Sequence, residues 1–559
     1  MLLAFTLIID KAISLIRSIA WYIFSKQKTR IIALVNFQSV SYISIILLQL
    51  FIISCSEKKQ ESQNKIPQLS EENIINNGHK LALTYCQGCH LFPEPELLDT
   101  TSWRKVLKAM SYRLGIDAEE GYENIGGMES DLLKMQAIFP TQPLINKEDW
   151  QELQQYYLEN AVNDFPTKEN IDSLEAIASL FSPSFPVSNP GQNPLTTLVK
   201  TLNNDIVAVG NYQNEVKFYK NNFNTISHQI ATGSSPVAIH ENEKSYYLLC
   251  IGNIFPNDLG TGSLYQLSKT SRSTRLAKTI SENLVRPVYM SIGGLSGKNS
   301  TEIVVSNFGY YTGNLSYFTP NKQSYANIQL NNEPGANKTI IEDINNDGKN
   351  DILALKGQGN EGLFVYINKG NGTFSEKPIL QFPPIYGSSY FELIDFNKDG
   401  HKDIIYVNGD NADYSPILKP YHGVRLFLNK GDFSFTEELF IPIHGASKSI
   451  THDFDQDGDL DIAVIAFFPD FDNTPHHGFV YLEQTSSMKF EKKYLKAAEQ
   501  GRWLCMDKGD FDQDGDTDLI LGNFIYSELP VPDTLQKMWS EAGNEIMFLE
   551  NNLITEKNL

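Results

Sequence analysis

The chain has 559 residues, of which 41% are hydrophobic, 11% aromatic and 20% charged, and it carries a formal net charge of −21. That length exceeds one ordinary core and calls for several domains or one large repeat architecture, while the composition excludes a disordered chain. The acidity excludes nucleic acid as a partner, because phosphates need a basic footprint.

Residues 1–54 hold five Lys/Arg and one Asp, so the remainder carries −25. Within them the basic "KQKTR" precedes the apolar run "VSYISIILLQLFIIS", which stops at Cys55. This is the order of a secretory signal, and a transmembrane anchor is the competing reading. The ending "IISC" resembles a bacterial lipoprotein signal. That resemblance implies lipid on Cys55 and an exported protein held to a membrane, periplasm-facing or at the surface of a Gram-negative-type cell. A polar linker, 55–71, follows.

A small all-α domain is expected over residues 72–163. Its key phrase is Cys86-Gln87-Gly88-Cys89-His90, the spacing of covalent haem c attachment: two thiols a helical turn apart and an imidazole to ligate iron. A zinc site would need further Cys or His ligands nearby, and a redox pair would follow a strand. Asn146 suits an N-cap, with Trp150, Leu153 and Tyr157 on one face of the helix after it. The segments "GHKLALTYCQGCH" and "INKEDWQELQQYYLENAV" resemble the first and last helices of a c-type cytochrome. The phrase around Met110 resembles small cytochrome domains of bacterial lipoproteins, which implies Met110 as sixth ligand, with Met128 and Met135 as alternatives.

Residues 164–190 read as a linker ending in a β-prone stretch, "SLFSPSFPVSN", available to close a ring of repeats. Over 191–552 an acidic phrase recurs every 49 to 58 residues, with a tail at 553–559. Its clear copies contain Asp343/Asn345/Asp347/Asp351, Asp395/Asn397/Asp399/Asp403, Asp453/Asp455/Asp457/Asp461 and Asp510/Asp512/Asp514/Asp518. Weaker copies close at Glu302 and lie around Glu243 and Asp205, giving seven four-stranded units and predicting an all-β seven-bladed propeller. Oxygen donors at alternate positions of a Gly-containing loop suit calcium, about four ions in all. The pattern resembles the FG-GAP or VCBS repeat of integrin α-chain propellers. Cys250 and Cys505 fall in apolar runs of different repeats and read as buried free thiols.

The two modules together imply an exported haem protein that passes electrons to a redox partner protein, with a calcium-stabilised propeller for binding. A haem-coupled dehydrogenase or lyase acting on a carbohydrate-like substrate, and an adhesin with incidental haem, are the alternatives. No Ser/His/Asp, Walker or dinucleotide phrase is visible, and no catalytic residue is assigned. A glycan or protein ligand is expected on the face opposite the acidic loops, at Asp410, Asp413, Lys419, His422, Asp470, His476 and His477. Arg286, Tyr386, His444, Lys448 and Arg502 are expected around the central opening. A purely structural role for these loops is the plainer reading.

Overall fold

The computed structural model describes residues 77–553 apart from 164, 166–175, 203–205, 221–222, 298–300, 410–414, 432–433 and 527–530. Cys55 and the apolar run before it, Asp205, Asp410 and Asp413 lie outside the described residues. No described helix is long and apolar enough to cross a membrane.

The described residues begin with five α-helices, α1 (Asn77–Tyr85), α2 (Thr100–Arg113), α3 (Ala118–Ile125), α4 (Gly127–Met135) and α5 (Lys147–Asn160). Asp99 caps α2 by accepting the Ser102 N–H at 2.7 Å, and Asn146 caps α5 by accepting that of Asp149 at 2.8 Å. α5 turns Trp150, Leu153 and Tyr157 inward, where they join Ala82, Trp103 and Leu107 in one apolar core. α1 crosses α5 at Gly78, where a Cβ would stand 2.5 Å from the Glu152 carbonyl oxygen, so only glycine permits that approach.

The remainder is a seven-bladed β-propeller. Six blades are consecutive four-stranded antiparallel meanders that begin at Thr196, Pro236, Pro287, Ala336, Ser388 and Ala446. The seventh takes three strands from 503–551 and its outermost one from Phe181–Ser184, which pairs antiparallel with Ile546–Asn551. Ala176–Ile177 adds a parallel fifth strand to blade six. The second strand of each blade lies mid-sheet with both faces packed. All six residues of Asp351–Lys356, Asp403–Asn408, Asp461–Ala466 and Asp518–Asn523 are accordingly buried, which explains their continuous apolar runs.

The first strands stand innermost and pack against one another around the axis, that of blade seven against that of blade one. Every one of them slips register at the same place, just after its first residue, a bulge that adds twist where the strands converge. Cys250 and Cys505 are free thiols in blades two and seven, each pushed up to about 12 by burial.

Phe181 is 3% exposed and meets Phe454, Phe479 and Tyr481 edge-on at 5.3–6.3 Å between centroids. Phe181→Ala is expected to lower unfolding stability by about 3–5 kcal/mol. Denaturant unfolding followed by fluorescence measures this, and a loss under about 1 kcal/mol would show that the ring does not depend on this strand.

Candidate functional site

Each acidic loop joins the first strand of its blade to the second, so the four loops share one face. The backbone is the same in all four, with positive φ at Asn346, Lys398, Gln456 and Gln513 and again two residues later at Gly348, Gly400, Gly458 and Gly515. Two left-handed residues so close force the chain into a tight curl, and glycine takes the second at no steric cost. The carboxylate that opens the loop accepts the glycine N–H in three of them, Asp343 at 2.9 Å, Asp395 at 3.0 Å and Asp453 at 3.2 Å.

The loops differ in charge. In blades six and seven three carboxylates converge, Asp453/Asp455/Asp457 and Asp510/Asp512/Asp514, with oxygens within 4.8 Å of one another. Burial, and then the neighbouring carboxylates, push Asp455 and Asp512 up.

In blades four and five the middle position belongs to Asn345 and Asn397. The side-chain oxygens of Asn345 and Asn397 accept the N–H groups of Asp347 at 2.9 Å and Asp399 at 3.0 Å. Their amides donate back to the carboxylates of the same two residues, at 3.4 Å from Asn345 and 2.9 Å from Asn397. Both side chains are thus engaged within their own loops, and neither brings the third negative charge that blades six and seven possess. Asp347 and Asp399 are held low, chiefly by the N–H groups of Lys349 and His401, and the Lys349 ammonium pairs with Asp347 at 3.3 Å.

The closing carboxylate of each loop, Asp351, Asp403, Asp461 or Asp518, stands outside these outward-facing groups. It is buried, and its oxygens accept backbone N–H groups from the loop and from the end of the third strand. Asp403 takes those of Phe396 and Asn429, both at 2.9 Å; Asp518 takes Phe511 at 2.9 Å and Asn551 at 2.8 Å; Asp461 takes Phe454 at 3.2 Å and Gln484 at 2.9 Å. Asp351 accepts from Asn368 at 2.8 Å. Asn368, Asn429 and Asn551 return amide bonds to loop carbonyls, and their recurrence at the ends of the third strands of blades four, five and seven is the signal that sequence reasoning passed over. Glu302 keeps the pin in blade three, accepting the Leu295 N–H at 2.9 Å, where the loop carboxylates are missing.

On the helical unit, Cys86, Cys89 and His90 follow α1 directly. Cys86 is half-buried against Tyr157, and burial raises its thiol to about 11. The His90 ring bonds the Leu91 carbonyl through Nδ1 at 2.8 Å, and burial lowers its pKa, so the ring is neutral with Nε2 turned away from that bond. Met110 on α2 is half-buried in the cluster that contains Cys86 and Tyr157, whereas Met128 and Met135 on α4 are 80% and 84% exposed.

The helical unit rests on the face opposite the acidic loops, and its contacts run over blades two to five. Tyr421 donates to the Leu97 carbonyl at 2.9 Å, and the Ser102 and Ser415 hydroxyls bond at 2.9 Å. Glu129 accepts the Asp258 N–H at 2.7 Å, and Phe139 meets Tyr311 edge-on at 5.2 Å. Asp258, fully buried, accepts from the backbone of Tyr310, Tyr311 and Thr312 and so holds the loop that Phe139 touches. Ile385 and Ile417 of the propeller complete the helical core.

This docking separates the residues expected to form one ligand site. Lys419 and His422 are buried beside the docked segment, with Lys419 donating to the Ser415 carbonyl at 2.9 Å. His477 instead stacks on Tyr494 at 4.1 Å with His476 beside it, and Asp470 caps its own loop through Asn473. Of the residues expected at the opening, Arg286 and Arg502 clamp loop carbonyls at Ile254 and Phe467, Tyr386 stacks on Tyr421 at 4.6 Å, and Lys448 lies on an innermost strand. An aromatic cluster not foreseen from the sequence occupies the same face at blades seven, one and two: Phe255 meets Tyr526 at 5.0 Å and Tyr212 at 6.3 Å, and the two tyrosines are 52% and 38% exposed.

A family model for the FG-GAP-like repeat matches residues 343–406 and 453–521. No curated protein matches the chain. Among solved structures it is similar to the WD40 β-propeller domain of Doa1 (9% identity, TM-score 0.38, 66% of this chain and 97% of that one). It is similar also to BBS1N in complex with ARL6DN (11%, 0.41, 67% and 97%) and to an ancestral GH74 enzyme (11%, 0.41, 60% and 44%). The chain thus carries FG-GAP-like repeats on a seven-bladed propeller.

Burial raises Asp461 and Asp518 to about 7 in the metal-free fold. A carboxyl with a raised folded pKa binds more protons folded than unfolded, so stability is greatest below the unfolded value and falls as pH rises. After chelation the melting temperature is expected to fall between about pH 4 and pH 7. Calorimetric scans across that range measure it, and a rise in stability over the same interval would contradict the buried carboxylates as its source.

Proposed function

We propose that the protein is an exported, lipid-anchored binding propeller whose helical unit carries one covalent haem c and passes single electrons to a redox partner. The observation behind the haem reading is the donor set: two thiols and a neutral imidazole at the end of α1, with Met110 in the adjoining apolar cluster. The Tyr157 hydroxyl, buried beside Cys86 without a well-formed hydrogen bond, marks a polar point in an otherwise apolar cluster. Cys86 and Cys89 would hold the haem covalently, and His90 Nε2 and Met110 would supply its axial ligands. Haem so ligated supplies one-electron redox chemistry at a potential raised by the thioether. Cys89 and the flanking Leu83 and Leu91 are exposed, an apolar rim suited to a transient redox partner.

In this reading the propeller is a rigid platform, and calcium ions join its acidic loops, most tightly in blades six and seven where three carboxylates converge. Four-ion loading remains part of the proposal, with the loops of Asn345 and Asn397 the weaker pair because each offers one carboxylate fewer. Ligand binding is assigned to the exposed part of the face that bears the helical unit. There Tyr212, Phe255 and Tyr526 offer ring faces for a glycan or a polar protein loop. Lipid on Cys55 and export rest on the leader alone.

The visible spectrum of the purified protein tests the haem. Wild type is expected to show a reducible c-type spectrum and a peroxidase-positive band on a denaturing gel, both lost when Cys86 and Cys89 are replaced by Ala. Met110→Ala is expected to remove the weak red-edge absorption of ferric iron bound to sulfur. A wild-type protein without covalent haem defeats the reading, and loss of that absorption only in Met128→Ala or Met135→Ala reassigns the ligand. For the propeller, Tyr212→Ala with Tyr526→Ala is expected to weaken glycan capture on an array about tenfold, or roughly 1.4 kcal/mol.

A further inference from the structure

We propose that the axial channel of the propeller holds a small oxyanion between Lys338 and Lys448. The site is independent of the haem reading. Its residues are the third ones of the innermost strands of four consecutive blades: Tyr289, Lys338, Tyr390 and Lys448 in blades three to six. The bulge common to those strands sets the four at one level along the axis.

The two ammoniums share one ring. Lys338 Nζ stands 3.4 Å from the Tyr390 centroid and Lys448 Nζ 5.2 Å from it. Each donates one hydrogen bond to the carbonyl of a neighbouring blade, Lys338 to Phe391 at 2.7 Å and Lys448 to Met506 at 2.6 Å. An ammonium has three N–H donors, so two on each have no protein acceptor among the described residues.

Charge completes the argument. A buried ammonium is costly without a counter-charge, and this protein supplies one where it buries Lys356, pairing it with Glu333 at 2.6 Å and Glu376 at 2.7 Å. Lys338, 6% exposed, and Lys448 have no such pair among the described residues. The carboxylates nearest them are already engaged: Glu392 with the Ser449 hydroxyl at 2.5 Å and the Thr451 N–H at 3.0 Å, Asp507 with Lys200 at 2.9 Å and the Thr201 N–H at 2.8 Å. Burial accordingly lowers both lysines. Tyr289 and Tyr390 stand at the same strand position in blades three and five, with their ring centroids 5.9 Å and 3.4 Å from Lys338 Nζ, and bring two further O–H groups to this cluster. Lys448, Tyr289 and Tyr390 remain partly solvent-accessible. Burial favours the neutral amine at both lysines, and an anion bound between them would hold both protonated, so this ring of N–H and O–H donors suits a small dianion rather than a sugar or a metal.

Sulfate is the probe, titrated calorimetrically into the calcium-loaded full chain against chloride at matched ionic strength. One site per chain is expected. Lys338→Met and Lys448→Met should each weaken it at least tenfold and Tyr390→Phe several-fold, while Lys356→Met, a buried lysine away from the axis, leaves it unchanged. Absence of sulfate uptake by the folded wild type, or full uptake by Lys448→Met, overturns the proposal. If both lysine variants fail to fold by circular dichroism, Tyr289→Phe combined with Tyr390→Phe decides it, and undiminished uptake there overturns it equally.

Discussion

The pairing of Phe181–Ser184 with Ile546–Asn551 joins the start of the propeller to its last strand, and the remaining geometry presupposes it. Each blade buries its two faces only against its neighbours, so an open ring would leave two apolar sheets in water and an unpaired strand edge on blade seven. Phe181 sits in a core shared by blades six and seven with Phe454, Phe479 and Trp503. Closure there brings the innermost strands of blades one and seven together, and an axis exists only because they meet. Both faces of the propeller and its common axis follow from that contact.

Around this ring the acidic phrase has two separable uses. Its last carboxylate is a pin, directed into the sheet and spent on backbone N–H groups that would otherwise be buried without partners. Its earlier oxygens face outward along the curl that two left-handed residues create. Blade three keeps the pin and lacks the outward carboxylates, so the pin belongs to the fold. Outward crowding is greatest in blades six and seven, where three carboxylates converge, and it is relieved in blades four and five by the neutral amides of Asn345 and Asn397.

The helical unit is docked on the propeller through hydrogen bonds, aromatic contacts and a shared apolar core that includes Ile385 and Ile417. A helical unit fixed in this way holds its position over the blades beneath it. Tyr421 contributes to both sides, stacking on Tyr386 in the propeller while donating to the Leu97 carbonyl. The cost of this docking is surface: Lys419 and His422 are buried, whereas Tyr212 and Tyr526 on other blades keep exposed rings.

The sequence by itself determined the repeat count and the class of fold, because Asp-x-Asx-x-Asp-Gly and the apolar run after it are local patterns set by turn chemistry and burial on both faces. It also determined the Cys86-Gln87-Gly88-Cys89-His90 donor order and the Asn146 cap, which depend on neighbours within a few residues. What only the tertiary structure decided depends on residues about one repeat or more apart. Asp461 reads in sequence like one more loop carboxylate, and only its place at mid-sheet turns it from the loop toward Phe454 and Gln484. Lys419 and His422 read as exposed loop residues until a segment some 320 positions earlier is found beside them, as Tyr421 is with Leu97. Tyr289, Lys338, Tyr390 and Lys448 are ordinary strand residues one by one, and they meet because ring closure brings seven inner strands to a common axis, a constraint with no local trace in any one of them.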